Sequence, residues 1–260
     1  MPGIFCDHLL KDKTAFITGG SSGICLRIAE RFAGHGARVM LVGRKQDKLD
    51  AAVVGIRSAG GVAEGFSADV RDYDALQNAF RKTAELWGEI DILLCGAAGN
   101  FPAPALGMSA NGFKAVVDID LLGTFNACRG SYEYLRKPGA SVLSISATHA
   151  FTPIASQAHV CAAKAGVDML TKVLAVEWGP SGVRVNVISP GPVDDTEGMR
   201  RLAPTYEVRA RFTERIPLRR FATKDEIADL ALFVSSSAAT YINGAILVCD
   251  GGQCHTGHSL

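Results

Sequence analysis

Short apolar runs and longer amphipathic segments alternate along most of the chain. "TAFITG" (14–19) is apolar and ends in glycine, which is typical of a buried parallel strand. "ICLRIAERFAGHG" (24–36) follows, and its helically spaced apolar residues and final glycine indicate a helix. The same pattern predicts further strands at 37–43, 62–70, 90–99, 140–147, 183–191 and 244–252, and further helices at 45–60, 73–88 and 156–179.

This alternation predicts the fold class. About seven strands joined through helices form right-handed βαβ units, which build a doubly wound parallel sheet with helices on both faces. No linker divides the chain, so residues 1–260 are predicted to form a single α/β domain of the Rossmann type. The charged segment 192–222 breaks the alternation, and we expect it to be a mobile lid over a substrate.

Composition narrows the classes of function. The chain is 48% hydrophobic and 20% charged, as globular proteins are. A net charge of +1 without a basic block argues against a nucleic-acid partner, and the apolar runs are too short to span a membrane. The seven cysteines are scattered, without CxxC pairs or histidines at zinc spacing. We therefore expect reduced thiols, a cytosol-like compartment and no metal site.

A glycine-rich turn joins the first strand to the first helix. In "TGGSSGIC" (18–25) the glycines would let the backbone approach a pyrophosphate, and the helix N-terminus would supply N–H groups. An ordinary tight turn is the alternative, but the strand–turn–helix context favours a dinucleotide. The candidate cofactor-binding residues here are Thr18, Gly19, Ser21, Ser22, Gly23 and Ile24.

The charge after the second strand bears on the choice of cofactor. An acidic residue at this place would bind the ribose hydroxyls of NAD. The chain instead has Arg44 and Lys45, which suit the 2′-phosphate of NADP(H). Alternatively, the two cations simply lie at the start of a solvent-exposed helix.

Five motifs together resemble the short-chain dehydrogenase/reductase family. They are "TGGSSGI", "GAAG" at 96–99, the helix around Lys164, "NVISPGPV" at 186–193 and "GAILVCDGG", and they fall in the family's order. One departure is Cys25 at the family's third loop glycine; its side chain fits if the first helix sits slightly farther from the sheet. The resemblance implies adenine contacts from Asp69 and Val70, ribose contacts from Ala97, Ala98 and Gly99, and nicotinamide contacts from Pro190, Gly191 and Val193.

The family's catalytic set is largely missing. By resemblance, its tyrosine position is Val160, its serine position is Ala147 and its asparagine position is Asp120, while Lys164 is retained. The tyrosine would protonate a carbonyl oxygen, so alcohol–ketone chemistry is not expected. Two alternatives remain: a degenerate member that only binds NADPH, or a reductase of a carbon–carbon double bond, whose enolate product takes its proton from another group.

The resemblance favours the second alternative and implies the catalytic residues. Asp120 and Lys164 would fix a water that protonates substrate carbon, although Asp120 could instead be simply paired with a cation. His159 turns away from the site on its helix and is predicted to pack or to lie at an interface. His149, just after a strand edge, is an outside candidate for the acid.

Longer matches resemble the peroxisomal-type 2,4-dienoyl-CoA reductases. "GAAGNF" (96–101), "DIDLLGTFN" (118–126), "HVCAAKAGVDMLT" (159–171) and "GPVDDTEGMRRL" (191–202) are among them. The resemblance implies NADPH-dependent reduction of a 2,4-dienoyl-CoA to a 3-enoyl-CoA in auxiliary β-oxidation; another enoyl-thioester reductase is the alternative. Asn100 and Phe101 are the expected contacts of the acyl part, with ordinary loop anchors as the alternative. An arginine-rich stretch that includes Arg200 and Arg201 is expected to bind the CoA phosphates, with a solvated helix face as the alternative.

Assembly and location are predicted by analogy alone. The family is usually tetrameric, and two long helices look able to pair across a two-fold axis, so a homotetramer is expected. The chain ends "GHSL", which only loosely resembles a peroxisomal signal because Ser259 stands where a basic residue is usual. We therefore expect a cytoplasmic protein, with a peroxisomal one as the alternative.

Overall fold

One seven-stranded parallel sheet organises the computed structural model, which describes residues 5–256. The strand order is β3-β2-β1-β4-β5-β6-β7, and each neighbouring pair is parallel. This confirms the predicted doubly wound α/β fold. The strands are β1 (Thr14–Thr18), β2 (Arg38–Gly43), β3 (Val62–Ser67), β4 (Ile92–Cys95), β5 (Ser141–Ile145), β6 (Arg184–Pro190) and β7 (Ile246–Cys249).

Helices cover both faces of the sheet, and a separate apolar core lies under each face. Phe32 and Ile227 belong to the core on one face, and Phe80 and Trp178 to the core on the other. Because the inner strands of the sheet are buried on both sides, they are rich in apolar residues. The helices are α1 (Gly23–Gly34), α2 (Gln46–Ser58), α3 (Tyr73–Trp87), α4 (Ala110–Val117), α5 (Gly123–Ser131), α6 (Ala158–Trp178), α7 (Glu197–Leu202), α8 (Tyr206–Glu214) and α9 (Lys224–Ser235).

All seven strands are shorter than predicted, and for β3 and β4 the difference lies at the carboxyl edge of the sheet. The run 90–99 forms a strand only to Cys95, and the run 62–70 only to Ser67. In both cases the residues beyond the strand leave the sheet at its carboxyl edge. The strand order reverses between β1 and β4, and ligands of such sheets bind in the crevice at that reversal.

The segment 192–222 forms two short helices, α7 and α8, rather than a simple loop. It has an apolar cluster of its own, in which Met199, Ile216 and Phe221 are buried. The Val193–Ala222 bridge closes the segment at its base. Its role as a lid stays a prediction.

Candidate active site

The glycine-rich turn packs closely against the loop that follows β4. Gly19 has φ +68°, and a Cβ on it would lie 2.8 Å from the backbone of Gly96 and Ala97, so no other residue fits without movement. Thr18 Oγ1 accepts hydrogen bonds from the N–H groups of Gly96 and Ala97, at 3.1 and 3.4 Å. Thr18 therefore ties the two loops together and brings the N-terminus of α1 to the crevice.

The crevice is a cavity of about 630 Å³. It brings together most of the predicted site residues, namely Gly19, Ser21, Ser22, Gly23, Ile24, Arg44, Asp69, Val70, Ala97, Ala98, Gly99, Asn100, Asp120, Lys164 and Arg201. The other predicted residues do not line it: Thr18, Phe101, Pro190, Gly191, Val193 and Arg200. A cavity that opens onto a helix N-terminus through a glycine turn fits the pyrophosphate of a dinucleotide.

The three predicted nicotinamide contacts do not line the cavity. Pro190 is buried at the end of β6, and Val193 pairs with Ala222. A Cβ on Gly191 would lie 2.7 Å from Asp250 Cα, so this glycine allows the close approach of the segment after β7. Their part in cofactor binding stays a prediction.

Three cations line one end of the cavity: Arg44, Lys45 and Lys48. Lys48 is not among the residues predicted from the sequence, although its place within the first turn of α2, three residues after Lys45, could have indicated it. Asp69 is the one acid among residues 5–256 that lines this end of the cavity. Arg71 contacts it at 2.6 Å. Hydrogen bonds from Arg71 hold the pKa of Asp69 below its ordinary value, so it is ionised at neutral pH.

Asp120 and Lys164 meet at the other end. Asp120 is 1% exposed and Lys164 6% exposed, and Lys164 Nζ lies 3.2 Å from Asp120 Oδ2. The lysine also donates to the carbonyl oxygen of Ile145 at 3.0 Å, and Asp120 Oδ1 accepts the N–H of Gly99 at 2.7 Å. Asp120 lies in a π-helical turn, Asp118–Leu122, that joins α4 to α5. Such turns often mark functional sites.

The positions of the missing phenol and hydroxyl also face this cavity. Val160 and Ala147 line it close to Lys164, and no tyrosine of the described chain does. This end of the cavity therefore has an ion pair that can orient a water molecule, but it has no tyrosine that could act as an acid.

Several buried polar atoms around the cavity have no hydrogen-bond partner among residues 5–256. Buried polar groups are normally paired, so unpaired ones that line a cavity indicate a polar ligand. Those belonging to residues that line this cavity are Asn100 Oδ1, Ser146 Oγ and His149 Nδ1; Asp120 Oδ2 also accepts no aligned hydrogen bond, although it is ion-paired with Lys164. Ser146, Thr196 and Gly198, the last two at the start of α7, were also missed by sequence reasoning, and no periodicity in the sequence marks them.

His159 and Phe101 pack on each other beside the cavity. Their ring centroids are 4.5 Å apart at an interplanar angle of 85°, an edge-to-face contact. His159 is fully buried, whereas Phe101 is half-exposed. His159 thus packs, as its position on the helix predicts, and it supports the side chain expected to contact an acyl group.

Cys25 occupies the place of the family's third loop glycine. Its Sγ lies where a Cβ on Gly96 would fall, so the room for the sulfur comes from the glycine opposite. Burial raises the pKa of the Cys25 thiol to about 12, which keeps it protonated and unreactive at neutral pH.

Four arginines of the 192–222 segment pair with acids, namely Arg200, Arg201, Arg209 and Arg220. Arg200 contacts Asp195 at 2.9 Å, and Arg201 pairs with Glu197. Only Arg201 of these two reaches the cavity. Within the described residues, no group of three or more histidines, cysteines or acids is placed to hold a metal ion. Nor does any helix of residues 5–256 have the length and hydropathy needed to cross a bilayer.

The sheet, the glycine turn at its reversal point and the cavity with its buried lysine define a dinucleotide-binding oxidoreductase. A family model described as enoyl-(acyl carrier protein) reductase matches residues 10–253. The chain belongs to the short-chain dehydrogenase/reductase family, and membership implies a nicotinamide cofactor.

Known relatives agree with that assignment. The chain is 42% identical to the peroxisomal 2,4-dienoyl-CoA reductase of Saccharomyces cerevisiae, over 98% of this chain and 88% of that protein. It is 44% identical to the enzyme of the same description from Rattus norvegicus, over 97% and 87%. A solved short chain dehydrogenase from Bacillus anthracis superposes with a TM-score of 0.86 at 38% identity, covering 96% of this chain and 99% of that one.

Proposed function

We propose that this protein is an NADPH-dependent reductase of 2,4-dienoyl-CoA that forms 3-enoyl-CoA in the auxiliary β-oxidation of unsaturated fatty acids. The observation that carries the proposal is the cavity itself: it keeps the Asp120–Lys164 pair but has Val160 and Ala147 where a phenol and a hydroxyl would serve a ketone. The names of the yeast and rat relatives support the choice of substrate.

The preference for NADPH rests on Arg44, Lys45 and Lys48. Three cations at one end of the cavity suit a 2′-phosphate, which carries charge that a ribose hydroxyl lacks. When bound, the cofactor supplies the hydride that reduces the δ-carbon of the diene. The side chains at the other end of the cavity then have two tasks, to stabilise the extended anion and to protonate the α-carbon.

Asp120 and Lys164 are proposed to perform the protonation through water. Lys164 pairs with the carboxylate of Asp120, and Asp120 Oδ2 has no aligned hydrogen-bond donor within the described chain, which leaves it free to accept from a water. A water oriented between a carboxylate and an ammonium can pass a proton to carbon and be reprotonated from solvent. The ion pair thus replaces the family's tyrosine as the group that delivers the proton, and it does not contact the substrate oxygen.

The substrate is proposed to enter beside Asn100 and Phe101. Asn100 lines the cavity on the loop five residues after the end of β4, and Phe101 offers a half-exposed ring beside it. Arg201, together with Arg200, would meet the CoA phosphates if the segment 192–222 closes over the site as a lid. This arrangement assigns the reacting acyl group to the buried end and the charged CoA to the exposed rim.

A homotetramer is proposed for the assembly. Helix α6 exposes an apolar row of Met169, Val173 and Val176, the last 77% exposed. Such a row on a long helix is suited to a second copy of the chain. The cytoplasm remains the expected compartment and the peroxisome the alternative. "GHSL" (257–260) lies outside the described residues, and the peroxisomal relatives favour the alternative. Light scattering and imaging of a tagged chain test these two points.

The test of function is NADPH consumption by the purified protein with 2,4-hexadienoyl-CoA, with the matching 2-enoyl-CoA in parallel. Turnover of the diene alone supports the proposal. Turnover of the 2-enoyl thioester instead would establish a different enoyl-thioester reductase, an alternative that the matching family description favours. Binding of NADPH without turnover of either would indicate a cofactor-binding scaffold.

A further inference from the structure

The proposed reaction requires a hydrogen-bond donor that the family's usual residues do not supply here. When the δ-carbon is reduced, negative charge delocalises onto the thioester oxygen. Donors aimed at such an oxygen are among the largest contributions to catalysis. At the positions where the family has a hydroxyl and a phenol, this chain has Ala147 and Val160, and neither can donate.

His149 lies beside these two positions. It belongs to a single helical turn, Thr148–Ala150, that begins three residues after the end of β5 and packs against α6. Its half-buried imidazole lines the cavity together with Ala147, Val160 and Lys164. Its Nδ1 is buried and has no hydrogen-bond partner within residues 5–256. This ring nitrogen is therefore available to form a hydrogen bond with a ligand in the cavity.

The surroundings of His149 keep it neutral. Burial, and to a lesser degree the charge of Lys164, lower the pKa of the imidazole below its ordinary value of 6.5. A neutral imidazole carries one N–H, and it can donate a hydrogen bond without giving up a proton. Lys164 itself is committed to Asp120 and to the carbonyl oxygen of Ile145. The donor and the proton relay are therefore separate groups.

We propose that His149 donates a hydrogen bond to the thioester oxygen and stabilises the dienolate, replacing the serine–tyrosine pair. The inference rests on the proposed dienoyl-CoA reductase activity. His149 keeps its proton throughout; the proton added at the α-carbon comes from the water held by Asp120. A carbonyl oxygen has two lone pairs, so Asn100 can donate to the same oxygen.

The test compares His149→Leu, which removes the donor but keeps a similar volume, with His149→Gln, which retains one. Thr148→Val is the matched control, because Thr148 lies in the same turn but does not line the cavity. Steady-state kinetics with 2,4-hexadienoyl-CoA, NADPH affinity and thermal unfolding are measured for each. Loss of one donor to an oxyanion typically lowers kcat about 10²- to 10³-fold. We expect such a loss in His149→Leu, recovery to within about tenfold in His149→Gln, and unchanged NADPH affinity in both.

A second readout does not depend on turnover. In a complex with NADP⁺, which cannot reduce the substrate, a hydrogen bond to the thioester oxygen polarises the conjugated diene and shifts its ultraviolet absorption to longer wavelength. We expect this shift in the unmodified protein and in Thr148→Val, and its loss in His149→Leu.

The results test the role of His149 separately from the proposed reductase activity. If the unmodified protein reduces the diene and His149→Leu retains its kcat and the spectral shift, the role of His149 is refuted while the reductase activity stands. The role of His149 is equally refuted if His149→Leu weakens only NADPH binding. If the unmodified protein binds NADPH but reduces no dienoyl-CoA, the proposed function fails first, and the role of His149 fails with it.

Discussion

The side chains of Asp120 and Lys164, 44 positions apart in the chain, form a buried ion pair with 3.2 Å between Oδ2 and Nζ. Each partner has a second anchor in the backbone, the N–H of Gly99 for the acid and the carbonyl oxygen of Ile145 for the lysine. These anchors offset part of the cost of removing two charges from water. The pair is thus fixed in position while one carboxylate oxygen still lacks an aligned donor.

Removal of the Asp120 charge is expected to slow the reaction without weakening cofactor binding. Asp120→Asn can still accept the N–H of Gly99, but it no longer orients a water as a carboxylate does. General acid–base groups contribute about 10²- to 10⁴-fold, so we expect kcat for a dienoyl-CoA to fall by at least about 10²-fold. Stopped-flow measurement of NADPH oxidation at saturating substrate checks this.

Asp118→Asn is the matched control, because Asp118 lies in the same π-helical turn but pairs with Lys114 at the surface. It is expected to retain kcat within about twofold, since exposed pairs contribute little. A kcat for Asp120→Asn that stays near that of the unmodified protein would remove Asp120 from the proton relay.

The sequence predicts the fold well because the sheet is buried on both faces. Apolar strands alternating with amphipathic helices then admit few other topologies. The approach of Asp120 to Lys164 does not follow from periodicity; only the family resemblance suggests it. The end of β4 at Cys95 and the π-helical turn under Asp120 depend on contacts between distant segments. The room that Gly96 leaves for Cys25 is another such contact, since neither residue reveals it alone.

Charge at Arg44 is expected to decide between the two nicotinamide cofactors. Arg44→Asp removes a cation from the proposed 2′-phosphate site and adds a repelling charge. A hydrogen bond to a charged group contributes about 1.5–3 kcal/mol, so kcat/KM for NADPH should fall at least about tenfold. The value for NADH should stay the same or rise, because an acid can bind its ribose hydroxyls.

Arg81→Asp makes the same change of charge on an exposed part of α3 that does not line the cavity. It should leave the ratio of NADPH to NADH activity unaltered. An equal fall for both cofactors in Arg44→Asp would argue for a general loss of binding rather than for phosphate recognition.

Cys25 and Gly96 are expected to be energetically coupled. Gly96→Ala places a methyl group onto the Cys25 sulfur, and overpacking of this kind costs about 1–3 kcal/mol. Cys25→Ala removes that sulfur, so the double variant Cys25→Ala/Gly96→Ala should regain much of the loss. Urea unfolding of the four proteins gives the coupling free energy, which we expect to be at least about 0.5 kcal/mol.

Gly55→Ala provides the control for the glycine substitution, because a Cβ at Gly55 in α2 meets no atom within 4 Å. An exposed helical glycine of this kind should gain about 0.5–1 kcal/mol on replacement by alanine. Additive effects of the two substitutions at Cys25 and Gly96 would contradict the predicted contact.

Glu226 is expected to make stability depend on pH at the start of α9. It completes a capping box with Thr223, and Arg220 contacts it at 2.6 Å. The hydrogen bond from Arg220, with help from the Thr223 N–H, lowers the pKa of Glu226 from 4.5 to about 2. A carboxyl whose pKa is lower in the folded state stabilises the fold above its unfolded pKa. That stabilisation is lost as the pH falls from about 4.5 toward 2.

Glu226→Gln keeps the capping geometry but not the charge. Because the Glu226 side chain is 39% exposed, solvent screening reduces its contribution to about 1 kcal/mol at pH 7. The difference in unfolding free energy between the unmodified protein and this variant should therefore shrink steadily as the pH falls from 5 toward 2, with about half of that 1 kcal/mol lost by pH 3. Glu85→Gln, at an exposed glutamate of α3, should show no such trend. A difference that persists unchanged at pH 3 would mean that Glu226 acts through its shape and hydrogen bonds alone.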